Sequence, residues 1–317
     1  MIDDRKEGVV IDEIQKIPAL LDEVHDLIEE RKIRFLLTGS SARKLKRYSA
    51  NLLAGRARVL EMTGVTHHES SDIPFLRKLQ YGSLPAVLLS DDPWSDLKAY
   101  TDTYLKEEIE EEAAVRNLGQ FFRFLKVAAL NSGQLLNYAA VASDSGVPET
   151  TVKAHFELLR DTLIGLELEP WTESKKRKAI RTVKFFLFDP GVQAALIDRK
   201  VLQRNSPDFG VALEHWILHE LRAHRSYRQT HQPITFWRST AGHEVDFCLG
   251  DHVAIEVKST GRLTDRSFHG LRALQEERRF KRYVMVSFDK STRRWEKGIE
   301  CFFILDFLTA LWEGEFE

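Results

Sequence analysis

Cysteine is scarce in this sequence, with only Cys248 and Cys301 among 317 residues. They form no CxxC pair, and no ladder of cysteines and histidines surrounds them, which argues against a structural zinc site and a disulfide framework. Two thiols suit a reducing compartment. The first seven residues are mostly charged and lack the apolar stretch of a signal peptide, so we expect the protein in the cytoplasm.

Long apolar runs and an excess of one charge are also missing. The most apolar stretch near the end, residues 301–312, is short and contains Asp306, so we expect a buried segment and no membrane span. The formal net charge of -2 gives no overall basic field for nucleic acid, so local clusters must supply one. The length of 317 residues predicts two or three domains, and 43% apolar residues are typical of globular folds.

The N-terminal segment has the pattern of a small parallel α/β unit. Residues 9–11 are apolar and β-branched, which predicts a buried strand that ends at Asp12 and Glu13. Helical spacing follows in residues 17–30, and residues 33–37 predict a second buried strand. An apolar strand that ends in Asp-Glu has the form of a Walker B motif, in which the aspartate holds Mg²⁺ and the glutamate polarises the attacking water. A surface acidic pair after a core strand is the alternative.

The wider segment carries a family resemblance. Residues 9–58 include VVIDEIQKIPALLDEVHDLI, RFLLTGSSARKL and NLLAGRA, and they resemble the prokaryotic AAA-type, STAND-like ATPases whose chains continue into a C-terminal domain of unknown function. The likeness extends to YGSLP at 81–85, YLKEEI at 104–109 and FDPGV at 188–192. It implies that Asp12 and Glu13 are the Walker B pair and that Ser40 lies in the sensor-1 segment. It also implies that Arg56 is an arginine finger, which would act across a subunit interface if the chain forms an oligomer.

One part of that ATPase pattern is missing. The family places a GxxxxGK[ST] loop before Walker B, and this sequence contains no such loop. The loop supplies the backbone N–H groups and the lysine that hold the β- and γ-phosphates. We therefore expect an N-terminally truncated member that does not hydrolyse ATP alone. ATP would be a cofactor only if a separate upstream polypeptide supplied the Walker A loop in trans.

The middle of the chain has the pattern of a winged helix-turn-helix. Three helical segments, at 118–131, 137–145 and 148–163, precede two strand-like runs at 165–170 and 183–189. The helix at 148–163 would be the recognition helix, with five polar side chains exposed: Glu149, Thr150, Thr151, Lys153 and His155. The basic stretch Lys175–Lys178 would lie in the wing, where it could pair with phosphates. DNA is one expected partner, and a winged helix used for protein packing is the alternative.

The last third combines acidic residues with a lysine on neighbouring strands. Glu256 and Lys258 are two residues apart on one strand and share a face, which Asp246 on the preceding strand can also face. Two carboxylates and an ammonium group can bind Mg²⁺ and activate water for phosphodiester cleavage. The arrangement resembles the PD-(D/E)xK nuclease core, and Glu214 matches its helical acidic residue. A salt bridge on a solvated strand face is the alternative.

That resemblance implies a catalytic set and a metal site. Asp246 and Glu256 would bind the metal, and Lys258 would orient or deprotonate water or stabilise the charge on the phosphate. Glu214 would assist the metal. Many domains of this fold bind nucleic acid or protein without cutting, so a retained nuclease site and a binding role both stay open.

Together these patterns predict a multi-domain α/β protein. The expected domains are a partial P-loop ATPase core at 1–65, a helical lid at 66–116, a winged helix-turn-helix at 117–204 and a restriction-endonuclease-like domain at 205–317. One predicted function is a DNA-associated member of an ATPase family with a Mg²⁺-dependent nuclease-like site. The alternatives are a non-enzymatic regulatory or interaction protein and a subunit completed by a separate P-loop polypeptide.

Overall fold

The fold is known from a computed structural model that describes residues 8–39, 57–58, 60–111, 117–290, 293–294 and 298–317. It is a mixed α/β structure, as the sequence predicts. Two compact units make up the chain. The first comprises residues 1–59 and 156–165, and the second comprises residues 60–155 and 166–317.

The first unit contains a two-stranded parallel sheet, β1 (Val9–Ile11) and β2 (Phe35–Leu37). A 3-10 turn (Ile14–Lys16) and helix α1 (Leu20–Arg31) connect the strands. Apolar side chains from all of these elements form one small cluster: Ile11, Ile14, Leu21, Val24, Ile28, Phe35 and Leu37. The predicted order of strand, helix and strand is therefore confirmed.

The prediction that both strands are buried is wrong for one side of this sheet. Val10 pairs with Leu36 in the register, and the two side chains are 65% and 58% exposed. Alternate residues of a strand point to opposite faces, so the face opposite the apolar cluster carries these two residues.

The second unit begins with a series of short helices. They are α2 (Phe75–Tyr81), α3 (Pro85–Leu88), α4 (Pro93–Ala99), a five-residue π turn (Tyr100–Tyr104) and α5 (Leu105–Glu111). The start of α4 shows why the chain turns there. Asp92 caps it by accepting the Ser95 N–H at 3.3 Å, and Pro93 occupies the first helical position, where its missing N–H costs nothing.

Three longer helices and three strands follow, and all of them except the first strand lie near predicted positions. They are α6 (Leu118–Leu130), β3 (Gln134–Leu135), α7 (Tyr138–Ser145), α8 (Glu149–Asp161), β4 (Gly165–Pro170) and β5 (Lys184–Leu187). Asn117 and Asn137 cap α6 and α7 with their side chains.

One residue of the predicted recognition helix is placed differently. The sequence predicts an exposed His155, but this residue is 8% exposed, with its ring 4.8 Å from that of Phe121 and 5.1 Å from that of Phe124. His155 is three residues after the buried Val152, so the helical period places it on the apolar face of α8. It therefore cannot contact DNA from this position.

The remaining elements complete the second unit. They are α9 (Pro190–Leu196), α10 (Pro207–Tyr227), β6 (Ile234–Arg238), β7 (Glu244–Leu249), β8 (Val253–Lys258), α11 (His269–Gln275), β9 (Arg282–Ser287), β10 (Arg293–Arg294), β11 (Ile299–Phe303) and α12 (Ile304–Trp312). Within the described ranges, no helix combines the length and apolar character that a membrane crossing requires.

A nine-stranded mixed sheet organises this unit. The strand order is β10-β11-β9-β8-β7-β6-β4-β5-β3, with β6, β7 and β8 antiparallel and β8, β9 and β11 parallel. Strand β4 runs parallel to β6, so the strands predicted as a wing join the same sheet as the C-terminal strands. The sheet thus extends across the predicted domain boundary at 204–205, and the domain assignments stay predictions.

A buried junction connects two of the motifs that carry the family resemblance, YGSLP and FDPGV. The Asp189 carboxylate, which is 0% exposed, caps α9 by accepting the Val192 N–H at 2.8 Å. It also accepts the Ser83 N–H at 2.6 Å and the Ser83 hydroxyl at 2.8 Å. At Gly191, a Cβ atom would lie 2.0 Å from the carbonyl oxygen of Tyr81, so only glycine permits this approach. The two motifs are thereby explained by packing.

We expect Gly191→Ala to destabilise the protein by about 3 kcal/mol, because the added methyl group would meet backbone that cannot move independently. Urea unfolding followed by circular dichroism measures this change. Gly119→Ala is the matched control: Gly119 is exposed in α6, and its added Cβ would have only ordinary contacts. Since alanine favours helix, the control should be neutral or stabilised by about 0.5–1 kcal/mol. Equal midpoints for Gly191→Ala and the wild type would contradict the packing argument.

A second buried polar cluster surrounds Glu220 on α10. Its carboxylate, 0% exposed, accepts the His67 N–H at 2.6 Å and the Trp312 Nε1–H at 2.8 Å. The Lys78 ammonium, also 0% exposed, bonds to His67 Nδ1 at 2.9 Å and to the carbonyl oxygen of Ser70. Burial raises the pKa of Glu220 to about 7 and lowers the pKa of Lys78 to about 8. These contacts connect the loop at 66–70 to three helices.

The raised pKa of Glu220 predicts a pH dependence of stability. Between its ordinary value of 4.5 and about 7, the folded state binds more protons at this site than the unfolded state. The contribution of Glu220 is therefore fully present below pH 4.5 and is lost as the pH rises through about 7. We expect Glu220→Gln to flatten the fall in unfolding free energy across this window, measured by urea unfolding at several pH values. A variant with the slope of the wild type would show that Glu220 titrates normally.

Candidate functional site

Asp12 and Glu13 lie at the end of β1, where the sequence predicts the Walker B pair. Thr38 follows directly after β2, and its hydroxyl donates a hydrogen bond to the Asp12 carboxylate. The same hydroxyl oxygen accepts the Glu13 N–H at 3.2 Å. Because the two strands are parallel, their carboxyl ends meet at one edge of the sheet.

Sequence reasoning missed Thr38 as the polar partner of Asp12. Its position was the available signal, since it is the first residue after the second apolar strand. Ser40 and Arg56 lie outside the described residues, so their predicted roles stay predictions.

Three of the four residues predicted as catalytic lie on the neighbouring strands β7 and β8. Asp246 is 8% exposed and Glu256 is 5% exposed. The β7–β8 ladder runs from Leu249↔Val253 to Phe247↔Ile255, and one step further the Asp246 carboxylate accepts the Val257 N–H at 2.7 Å. Lys258 donates a hydrogen bond to Oε1 of Glu256. The predicted shared face of Glu256 and Lys258 is consistent with this contact.

The other oxygen of Glu256 is the most unusual atom in the cluster. Oε2 is buried and has no hydrogen-bond partner. Burial raises the pKa of Glu256 well above its ordinary range, Asp246 raises it further, and Lys258 opposes the change. Gly270 on α11 lies beside it: a Cβ there would be 3.4 Å from Glu256 Oε2 and 1.9 Å from the carbonyl oxygen of Glu244. Glycine therefore allows α11 to lie close to β7 beside the unpaired oxygen.

A lysine that the sequence analysis missed bonds to Glu214, the fourth predicted residue. Lys184 on β5 places its Nζ 2.9 Å from Glu214 Oε1 and 2.7 Å from Glu244 Oε1, with its side chain 4% exposed. Burial opposes the charge, but Glu214, Asp246 and Glu244 together raise the pKa of Lys184 above its ordinary value. Burial raises the pKa of Glu214 to about 7, although Lys184 opposes this. A charged residue at the start of the apolar run Phe185–Leu187 was the only sequence signal.

Asp246 and Glu256 could supply only two carboxylates to a divalent ion. Within the described residues, no group of three or more His, Cys, Asp and Glu side chains is arranged to hold a metal. Mg²⁺, however, often takes one or two carboxylates and completes its shell with water and substrate phosphates. The unpaired Oε2 of Glu256, beside Asp246, suits that mode. Glu214 is already bonded to Lys184.

The basic stretch Lys175–Lys178 contacts acidic residues just after α11. The backbone N–H groups of Lys175, Lys176 and Arg177 donate to the Glu277 carboxylate at 2.7–3.1 Å. Arg177 also pairs with Glu276 at 2.7 Å. On α8, Lys153 pairs with Glu149 at 2.7 Å. These acidic partners reduce the positive charge available for phosphates, although the side chains of Lys175 and Lys176 are exposed.

Three family models match successive parts of the chain. An AAA domain matches residues 1–71, a domain of unknown function (DUF8612) matches residues 75–203, and a domain of unknown function (DUF4143) matches residues 209–306. The AAA and DUF4143 matches indicate an AAA-type ATPase-like family.

The curated proteins to which this chain is similar are named as uncharacterized proteins. "Uncharacterized protein Rv2008c" of Mycobacterium tuberculosis and "Uncharacterized protein Mb2031c" of Mycobacterium bovis are each 27% identical over 265 residues, covering 80% of this chain and 58% of the relative. An uncharacterized protein of Haemophilus influenzae is 24% identical over 210 residues, covering 60% of this chain and 52% of its own. The chain thus spans little more than half the length of the curated relatives it matches. No solved structure matches it significantly.

Proposed function

We propose that this AAA-type ATPase-like protein acts on DNA through a Mg²⁺-dependent phosphodiesterase site at Asp246, Glu256 and Lys258. The observation that carries the proposal is the buried Oε2 of Glu256, which has no hydrogen-bond partner. Leaving such an atom unpaired costs about 1–3 kcal/mol, so a site that retains it is expected to have a use for it. The order of helix, three strands, helix and strand supports a PD-(D/E)xK-like core.

The charges of the site assign a role to each residue. Asp246 and Glu256 would hold Mg²⁺, which when bound would polarise the phosphodiester and favour ionisation of water. Burial opposes the charge on Lys258, but Asp246 and Glu256 raise its pKa above the ordinary value. Lys258 therefore stays protonated, and it suits stabilisation of negative charge on the phosphate better than removal of a proton from water. Glu214 positions Lys184 and does not bind the metal.

DNA cleavage tests this proposal directly. Supercoiled plasmid and single-stranded DNA are incubated with the protein and Mg²⁺ or Mn²⁺, and nicked and shortened products are measured. We expect cleavage by the wild type and a loss of about 100-fold or more in Asp246→Asn and Glu256→Gln, because each removes a metal-binding charge.

The matched control is Glu300→Gln on β11. Glu300 pairs with Arg282 at 2.8 Å in the same sheet, so this variant loses a strand ion pair outside the acidic cluster. It should cleave like the wild type. Equal cleavage by the control, Asp246→Asn and Glu256→Gln would assign the activity to a contaminant and sink the proposal.

A recognition module that does not cut is the second candidate. Two observations favour it: no larger group of metal-binding side chains occurs in the described part of the chain, and the lysines already bond to Glu214, Glu244 and Glu256. In that case no combination of metal ion and DNA substrate would give cleavage products, while DNA binding would remain.

DNA binding through the basic stretch predicts a salt dependence. We expect Lys175→Ala with Lys176→Ala to lower the slope of log affinity against log salt by about 2, because each phosphate contact to a duplex contributes about 0.9. Fluorescence anisotropy with a labelled duplex measures it. Lys98→Ala with Lys126→Ala is the control, since both lysines pair with Asp198 and not with the acidic partners of this stretch. An identical slope in the two double variants would place DNA elsewhere.

The first unit supports a contribution to an ATP site. Thr38 holds the Asp12 carboxylate at the edge of the two parallel strands, where Walker B residues act. This sequence contains no phosphate loop, so a working ATP site that used Asp12 and Glu13 would need that loop from another polypeptide segment. A P-loop polypeptide that acts in trans is one source of it.

A further inference from the structure

The position of Lys184 gives the acidic cluster an internal cation. Its side chain extends from β5 over the ring of Phe236, with Nζ 5.2 Å from the ring centre. The ammonium group then lies between Glu214 on α10 and Glu244 on β7, at 2.9 and 2.7 Å. The second oxygen of Glu244 lies 3.4 Å from Arg238. Both carboxylates therefore have cationic protein partners.

These two carboxylates are the ones that a second metal ion would need. Two-metal phosphodiesterase sites hold their ions about 3.5–4 Å apart and share carboxylates between them. Beyond Asp246 and Glu256, the acidic groups of this cluster are Glu214 and Glu244. An ammonium group in contact with both already supplies the positive charge that an ion between these carboxylates would bring.

We propose that Lys184 is a built-in cation that limits this site to a single divalent ion, held by Asp246 and Glu256. Lys184 is thus a positioning residue, which sets the number of ions without contacting substrate. The expectation that the wild type binds one divalent ion rests on the proposed function. The expectation that Lys184 keeps an ion away from Glu214 and Glu244 is independent of that function.

Removal of the Lys184 ammonium group should leave Glu214 and Glu244 free to bind a divalent ion. In Lys184→Met, the apolar stem over Phe236 is preserved, but Glu214 and Glu244 lose their shared partner. A buried carboxylate without a counter-charge is costly, so a divalent ion becomes the available replacement.

The test counts bound Mn²⁺ by electron paramagnetic resonance of the free ion, with the full chain and no DNA. We expect one ion in the wild type and two in Lys184→Met, and one again in Lys184→Met with Glu214→Gln. Lys98→Met is the matched control, because it removes an ion-paired lysine, 3.0 Å from Asp198, outside the cluster. It should bind Mn²⁺ like the wild type.

The outcomes separate this inference from the proposed function. If the wild type and Glu256→Gln bind no Mn²⁺ but Lys184→Met binds an ion that Glu214→Gln removes, the phosphodiesterase proposal fails and the role of Lys184 stands. If folded Lys184→Met binds the same number of ions as the wild type, the inference is overturned. If Lys184→Met does not fold in metal-free buffer, recovery of its circular dichroism spectrum by millimolar Mn²⁺ supports the inference. Failure to recover overturns it.

Discussion

The ammonium group of Lys184 connects the elements that carry the charged side chains of the second unit. It bonds to Glu214 on α10 and to Glu244 on β7, while its own strand, β5, lies two positions beyond β6 in the sheet. A buried charge is tolerated only when it is paired, and removing one partner of a buried pair costs about 3–5 kcal/mol. The positions of α10, β5 and β7 are therefore interdependent. The chemistry of the site depends on that arrangement.

The same constraint shapes the rest of the cluster. Four carboxylates are accompanied by three cationic groups, namely Lys184, Arg238 and Lys258, which leaves an excess of one negative charge when all are ionised. Burial raises the pKa of Glu256 well above its ordinary range, and Asp246 raises it further. Its Oε2 has no hydrogen-bond partner. The excess of negative charge and the unpaired oxygen support the proposal that a divalent ion binds there.

The local parts of this arrangement could be predicted from the sequence. Alternation along a strand places Glu256 and Lys258 on one face, and the contact between them agrees with it. The apolar run at 9–11 correctly predicted that Asp12 and Glu13 follow the end of a strand. The prediction that His155 is exposed was wrong because the pattern of one helix does not show how wide its buried face is. The rings of Phe121 and Phe124 pack against His155 and widen that face. Thr38 was missed because its contact with Asp12 spans 26 residues and forms only when β1 and β2 pair.

The sequence by itself determined the order of strand, helix and strand in the first unit and the shared face of Glu256 and Lys258, because both follow from the periodicity of neighbouring residues. It also contained the motifs YGSLP and FDPGV, but it did not show what they do. In the structure they pack together, with Gly191 close to Tyr81 and Ser83 bonded to Asp189. Only the tertiary structure decided that Lys184 bonds to Glu214 and that one oxygen of Glu256 stays unpaired. Those contacts depend on the pairing of β4 with β6 and the packing of α10 and α11, which join residues distant in the chain.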